Sequence, residues 1–183
     1  AGDHAHLTIA GGVRHPMVLT RTELVASLKK EVLIAVHLAG KIDRSQLDYR
    51  PTPGQRSTIE LVRYISMMGP ELLQAAISAH FDVPAWNAAE QAAATRDLDS
   101  AIAAIAAQAD RYTAMLSTVS DADLRAEIKV FGDRSSRGAF IVEQLLCGCA
   151  AYRTQLFLYL KACGRSELNS MNLWAGIDAP SAG

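Results

Sequence analysis

The 183-residue chain carries no surplus of charge of either sign: 18 Lys and Arg stand against 19 Asp and Glu, a formal net charge of −1. Nucleic-acid binders concentrate a basic surplus on one face, so this balance argues against such a partner. A long apolar run is also missing. A membrane-spanning helix needs about 18 or more apolar residues, and the richest stretch, Phe140 to Leu160, is interrupted by Glu143, Gln144, Arg153 and Gln155. Cysteine is scarce: Cys147, Cys149 and Cys163 form an odd, crowded set, whereas a disulfide framework uses an even number spread over loops. They read as reduced, small core residues, which fits a cytoplasmic protein. The stretch from Ala1 to Val18 lacks a basic start followed by an apolar block, so no secretory signal is expected. Neither a Gly-x-Ser-x-Gly elbow nor a phosphate-cradling Gly-x-x-x-x-Gly-Lys loop occurs, and Ser135-Ser136 does not replace the former.

What is present is helical periodicity. Half of the residues are hydrophobic, enough for one core, and we read residues 1–18 as an irregular lead-in and 19–183 as a single domain. Thr20-Arg-Thr-Glu23 and Ser57-Thr-Ile-Glu60 are capping boxes, in which the first hydroxyl and the last carboxylate satisfy each other's backbone amides. The first helix, to about Ile42, places Leu24, Leu28, Val32, Ala35, Ala39 and Ile42 on one face. The second carries Leu61, Ile65, Met68, Leu72 and Ala76, with Gly69-Pro70 expected to bend or briefly break it. A third seam runs Leu98, Ile102, Ile105, Ala109, Tyr112 and Leu116, spaced for close packing. Trp86 is expected to anchor the loop between helices two and three. After Ser120, where Asp121 and Asp123 suit a helix start, an extended or irregular crossover leads past Arg134 and Arg137, expected in a solvated loop. A fourth helix then runs from about Gly138 to Cys163 and stops at Gly164. Leu173 and Trp174 are expected to dock a mostly irregular tail on an all-α four-helix bundle with one long connection. Between Leu145 and Ala151 the fourth helix is apolar or small on every side, which requires cover from the other helices or from a second subunit; a homodimer is the favoured expectation.

Two segments carry a family resemblance. The run from Leu47 through Tyr49, Pro51, Pro53, Gly54, Ser57 and Glu60 to Tyr64 and Ile65, and the run Tyr152-Arg-Thr-Gln155-Leu156 ending at Cys163-Gly164, resemble the second- and fourth-helix signatures of the DinB-like (DNA-damage-inducible) superfamily. The resemblance spans roughly Thr20 to Gly164 and implies a DinB/YfiT-like four-helix bundle, often dimeric. Some members are metal-dependent enzymes, including thiol-dependent transferases and maleylpyruvate isomerases. They hold one divalent ion with a histidine on the second helix and two histidines, four apart, on the fourth.

At the matching positions this chain has Tyr64, Gly148 and Tyr152. Glycine offers no donor, and a phenol with a pKa near 10 is a poor ligand at neutral pH. No metal or other cofactor is therefore expected. Of the five histidines, His4, His6 and His15 fall in the lead-in. His37 is expected on the outer side of the first helix with Lys30, Leu33 and Lys41, and His80 near the end of the second. A displaced site from Glu60, Glu143, Cys147 and Cys149 lacks a convincing third ligand. Two fates remain for the vacated space. Tyr64 and Tyr152 fill it, with Gln144 or Gln155 as hydroxyl partner, or a polar pocket of Arg63, Tyr64, Gln144, Tyr152 and Gln155 survives and binds a small molecule. The expected function is a metal-free, dimeric, small-molecule-binding or accessory protein, not a catalyst. The alternative is a metal-dependent thiol transferase or hydrolase-like enzyme with a displaced or tyrosine-centred site.

Overall fold

Both capping boxes form and set where the first two helices begin. In the computed structural model, which describes residues 19–180, the Glu23 carboxylate accepts from the Thr20 amide at 2.8 Å, and Glu60 accepts from the Ser57 amide at 2.9 Å. The lead-in and its three histidines lie outside the described residues. Helix α1 is Arg21–Ala39 and α2 is Thr58–Ser78. All the core positions expected on these two helices are buried, from Leu24 to Ile42 and from Leu61 to Ala76. Helix α4, Leu98–Leu116, packs against both. Its seam is rotated slightly from the expected one: Ala101 and Gln108 are buried, while Ile102 and Ala109 lie at the margin.

The fourth long helix is continuous but not uniform. Helix α6 (Arg137–Phe140) passes into a π-helical stretch, Ile141–Leu146, and then into α7 (Cys147–Ala162). The Cys147 amide reaches back five residues to the Val142 carbonyl, the widened turn that defines a π segment. Gly164, at φ +93°, ends the helix as expected. Because this last helix packs on α1 and α2, the four long helices form the expected all-α bundle.

Several expectations need correction or refinement. Trp86 lies in a helix, α3 (Val83–Ala94), not in a loop. Asp82 caps it by accepting from the Ala85 amide at 3.0 Å, and Pro84 sits in its first turn, where a missing N–H costs nothing. The crossover contains a short helix α5 (Asp121–Arg125), capped by Ser120 with Asp123, and an antiparallel hairpin of β1 (Glu127–Val130) and β2 (Asp133–Ser136). Phe131 and Gly132 turn the hairpin with φ of 55° and 93°, the left-handed pair that a two-residue turn requires. Arg134 pairs with Glu127 across it. Arg137 is no loop cation: it donates to the Ala76 carbonyl at 3.0 Å and the Asp123 carbonyl at 2.6 Å. Finally, the tail forms helix α8 (Ser170–Ala175). Trp174 is 64% exposed there, resting on the Arg153 guanidinium, while Asn172 and Gly176 are the buried contacts.

The α8 segment also covers His37, which was expected to face solvent. Asn172 Nδ2 lies 3.0 Å from His37 Nε2, and burial holds the imidazole pKa below its usual value against the opposing pull of Asp178. His80 is exposed just past α2, as expected. No cysteine is in a disulfide among the described residues, but Cys147 is exposed and so is not a core residue. No helix among the described residues is long and apolar enough to cross a membrane.

Of the bend or brief break expected at Gly69-Pro70, the break does not occur, and a side chain from outside the helix compensates the missing donor. Pro70 has no N–H for the Ser66 carbonyl, and Arg96 Nη1 donates to that carbonyl at 3.3 Å. One residue earlier, Gln108 Nε2 donates to the Ile65 carbonyl at 2.9 Å, and Gln108 Oε1 accepts from the Tyr112 hydroxyl at 2.8 Å. The helix stays continuous through Pro70, with the turn leading into α4 supplying a replacement donor to the freed carbonyl.

Candidate functional site

Tyr64 is the centre of the site. Two turns past the Ser57 cap, it is directed from α2 toward both α3 and α7. Its ring meets Tyr152 edge-on, with centroids 4.9 Å apart, and Trp86 of α3 at 6.1 Å. The Arg56 guanidinium covers a ring face at 3.9 Å, a cation–π contact. Burial, reinforced by the Tyr152 hydroxyl, pushes the Tyr64 phenol well above its ordinary pKa. Its phenolate is therefore disfavoured as either a ligand or a base.

Gly148 lies on the same side of α7, one turn before Tyr152. A Cβ there would stand 3.1 Å from the Met68 methyl, so the thioether end of Met68 fills the space that a side chain would take. The residues at these three positions do not fit a divalent ion: two phenols in edge contact, that of Tyr64 held protonated by burial, and a glycine under a methyl group present no donor set. Among the described residues, no group of three or more His, Cys, Asp or Glu is placed to hold a metal. Glu60 is engaged by Arg50 at 2.7 Å. Glu143 and Cys147 border an apolar groove with Leu19, Leu24 and Val142, and Cys149 faces the bundle interior beside Glu31 and Arg153.

The proposed pocket residues separate. Gln144 is exposed on the π stretch. Gln155 donates to the Tyr159 hydroxyl at 2.6 Å, which in turn donates to the Arg56 carbonyl at 3.0 Å, so neither glutamine serves Tyr64 or Tyr152. Arg63 and Tyr64 do come together, on the wall of a cleft of about 290 Å³ between α2 and α3, completed by Arg56, Glu60, Met67, Glu90, Ala93 and Ala94. That volume falls just below the roughly 300–1,000 Å³ typical of ligand pockets, which limits an occupant to a small molecule. Tyr152 does not line the cleft and touches it only through its edge contact with the Tyr64 ring. Glu90 and Ala93 were missed because α3 was missed, although Asp82-Val-Pro84 is a helix-start signal and Trp86, Ala89 and Ala93 recur at helical spacing.

No family model matches the chain, and no curated protein matches it in sequence. Among solved structures it is similar to a DinB-like protein, YjoA, from Bacillus subtilis, with a TM-score of 0.62 and 20% identity, over 80% of this chain and 94% of that one. The likeness shows that the fold is DinB-like.

Proposed function

We propose that this is a metal-free, small-molecule-binding protein built on the DinB-like bundle, that Tyr64, Gly148 and Tyr152 stand where metal-binding relatives carry histidines, and that the α2–α3 cleft is its binding site. The observation that carries the reading is the filled space at Gly148. The Met68 methyl and the Tyr64–Tyr152 pair take up the volume of an ion and its imidazoles, and the polar groups gather one layer further out, at the cleft. A tyrosine-centred catalyst finds no support, because burial drives the Tyr64 proton to be held more tightly. The register of the three positions has a direct test. The triple variant Tyr64→His, Gly148→His, Tyr152→His should bind zinc at one equivalent by calorimetry, since Met68 is flexible enough to yield to a new Cβ, while the parent chain binds none. A folded variant with no zinc affinity contradicts the register.

The same reading includes pairing with a second copy of this chain. Within one chain the fourth helix is not enclosed: Leu145 is buried, but Cys147 and Ala151 are exposed, and Val142 is 36% exposed. An apolar groove of about 520 Å³ opens beside this face. Light scattering should give a mass of two chains, and Val142→Glu should return one. A monomer at all concentrations contradicts the pairing.

A further inference from the structure

The charges around the α2–α3 cleft do not cancel one another. Glu60 is committed: Arg50 takes one oxygen at 2.7 Å and the Ser57 amide the other at 2.9 Å. Asp97 is held by its cap, accepting from the Ser100 amide at 2.8 Å. Among the described residues, neither Arg56 nor Arg63 has a carboxylate within 4.0 Å. Glu90, exposed on the opposite wall, is the one lining carboxylate without such a commitment.

The Arg63 fork is also held in place. Its Nε donates to the Arg96 carbonyl at 2.7 Å, and Arg96 is fastened to the Ser66 hydroxyl at 2.6 Å. Holding a guanidinium by Nε leaves its terminal nitrogens as a pre-oriented pair, the arrangement that receives two oxygens of a planar or tetrahedral anion at little entropic cost. Arg56 is steadied by the Tyr64 ring. Met67, Ala93 and Ala94 supply a short apolar wall.

We propose that the cleft binds a small organic anion, whose carboxylate or phosphate oxygens are received by Arg63 and Arg56 and whose short apolar body lies against Met67, Ala93 and Ala94. This assignment rests on the cleft being the binding site. Protein-observed NMR titration of the full chain with benzoate, phenyl phosphate, benzyl alcohol and benzylamine, each to millimolar concentration, tests both. The expected result is that benzoate or phenyl phosphate shifts amides of α2 and α3, the two anions separating carboxylate from phosphate preference, while the alcohol and amine bind at least tenfold more weakly. Arg63→Gln should weaken the anion tenfold or more and Arg56→Gln severalfold. Glu90→Gln, on an exposed position that does not bear on folding, should tighten it severalfold by removing the opposing charge. Binding of the alcohol or amine as well as the anions, or no gain from Glu90→Gln, overturns the anion assignment and leaves the cleft standing. Silence of α2 and α3 toward all four compounds overturns both.

Discussion

Replacing Arg153 by alanine should cost the fold about 3–5 kcal/mol, read by urea unfolding, because it strands a buried carboxylate. Arg153 Nε lies 2.8 Å from Glu31 Oε2, with the two side chains only 6% and 15% exposed. The same guanidinium donates to the Leu173 carbonyl and lies under the Trp174 ring. One side chain thus joins α1, α7 and α8. Burial raises the Glu31 pKa above its usual value, against the lowering pull of Arg153 and Lys30. A carboxyl whose folded pKa is raised binds its proton more tightly folded than unfolded, so its contribution grows more favourable as pH falls toward the unfolded value near 4.5. Without Arg153 the folded pKa rises further, and the deficit of Arg153→Ala should therefore be smaller at pH 5 than at pH 7. The double change Glu31→Leu, Arg153→Met should recover most of the loss. A deficit below about 1 kcal/mol, or one that grows on acidification, contradicts the arrangement. The neighbouring Cys149 thiol, pushed up to about 12 by burial, should stay unmodified by alkylating reagents that label exposed Cys147.

The second large effect has the opposite sign from what helix propensity dictates. Alanine in place of a mid-helix glycine ordinarily gains about 1 kcal/mol, yet Gly69→Ala should lose about 2 kcal/mol or more. A Cβ at Gly69 would overlap the Tyr112 hydroxyl and stand 3.1 Å from Cζ and 3.2 Å from Gln108 Oε1. Tyr112 is fully buried and its hydroxyl is bonded to Gln108, so it has little room to withdraw. Tyr112→Phe removes the overlapping oxygen. In that background Gly69→Ala should become neutral or stabilising. Thermal unfolding of the two single variants and the double one gives the coupling directly. Stabilisation by Gly69→Ala alone would remove the physical account of this glycine.

These two pairs also show why some of the molecule was legible in the sequence and some was not. The capping boxes at Thr20 and Ser57 and the apolar faces of α1 and α2 are local, so periodicity and side-chain chemistry revealed them. The behaviour of Gly69-Pro70 depends on Arg96, Gln108 and Tyr112, some 26 to 43 residues away: Arg96 reaches the Ser66 carbonyl that Pro70 frees, and Gln108 and Tyr112 occupy the space beside Gly69. His37 looked external by its helical position, but a segment 135 residues later covers it. At the site, the sequence pointed to Tyr64 beside Arg63 and to Tyr152 behind it. It also pointed to Gln144 and Gln155 as neighbours. Gln144 sits in the π stretch Ile141–Leu146, which shifts it out of register with Gly148, while Gln155, in the regular turns of α7, is taken by the Tyr159 hydroxyl. The second wall of the cleft was hidden because an alanine-rich segment with one tryptophan was read as a connection, although its cap was present at Asp82.

The whole functional reading depends on what fills the volume bounded by Tyr64, Gly148 and Tyr152. Crystals of tag-free protein from cells supplied with zinc, nickel and manganese, recorded at each metal's absorption edge, address it most directly. The account predicts no anomalous peak in that volume and the Met68 methyl packed against Gly148. A peak there at full occupancy, coordinated by the two tyrosine oxygens, would contradict it.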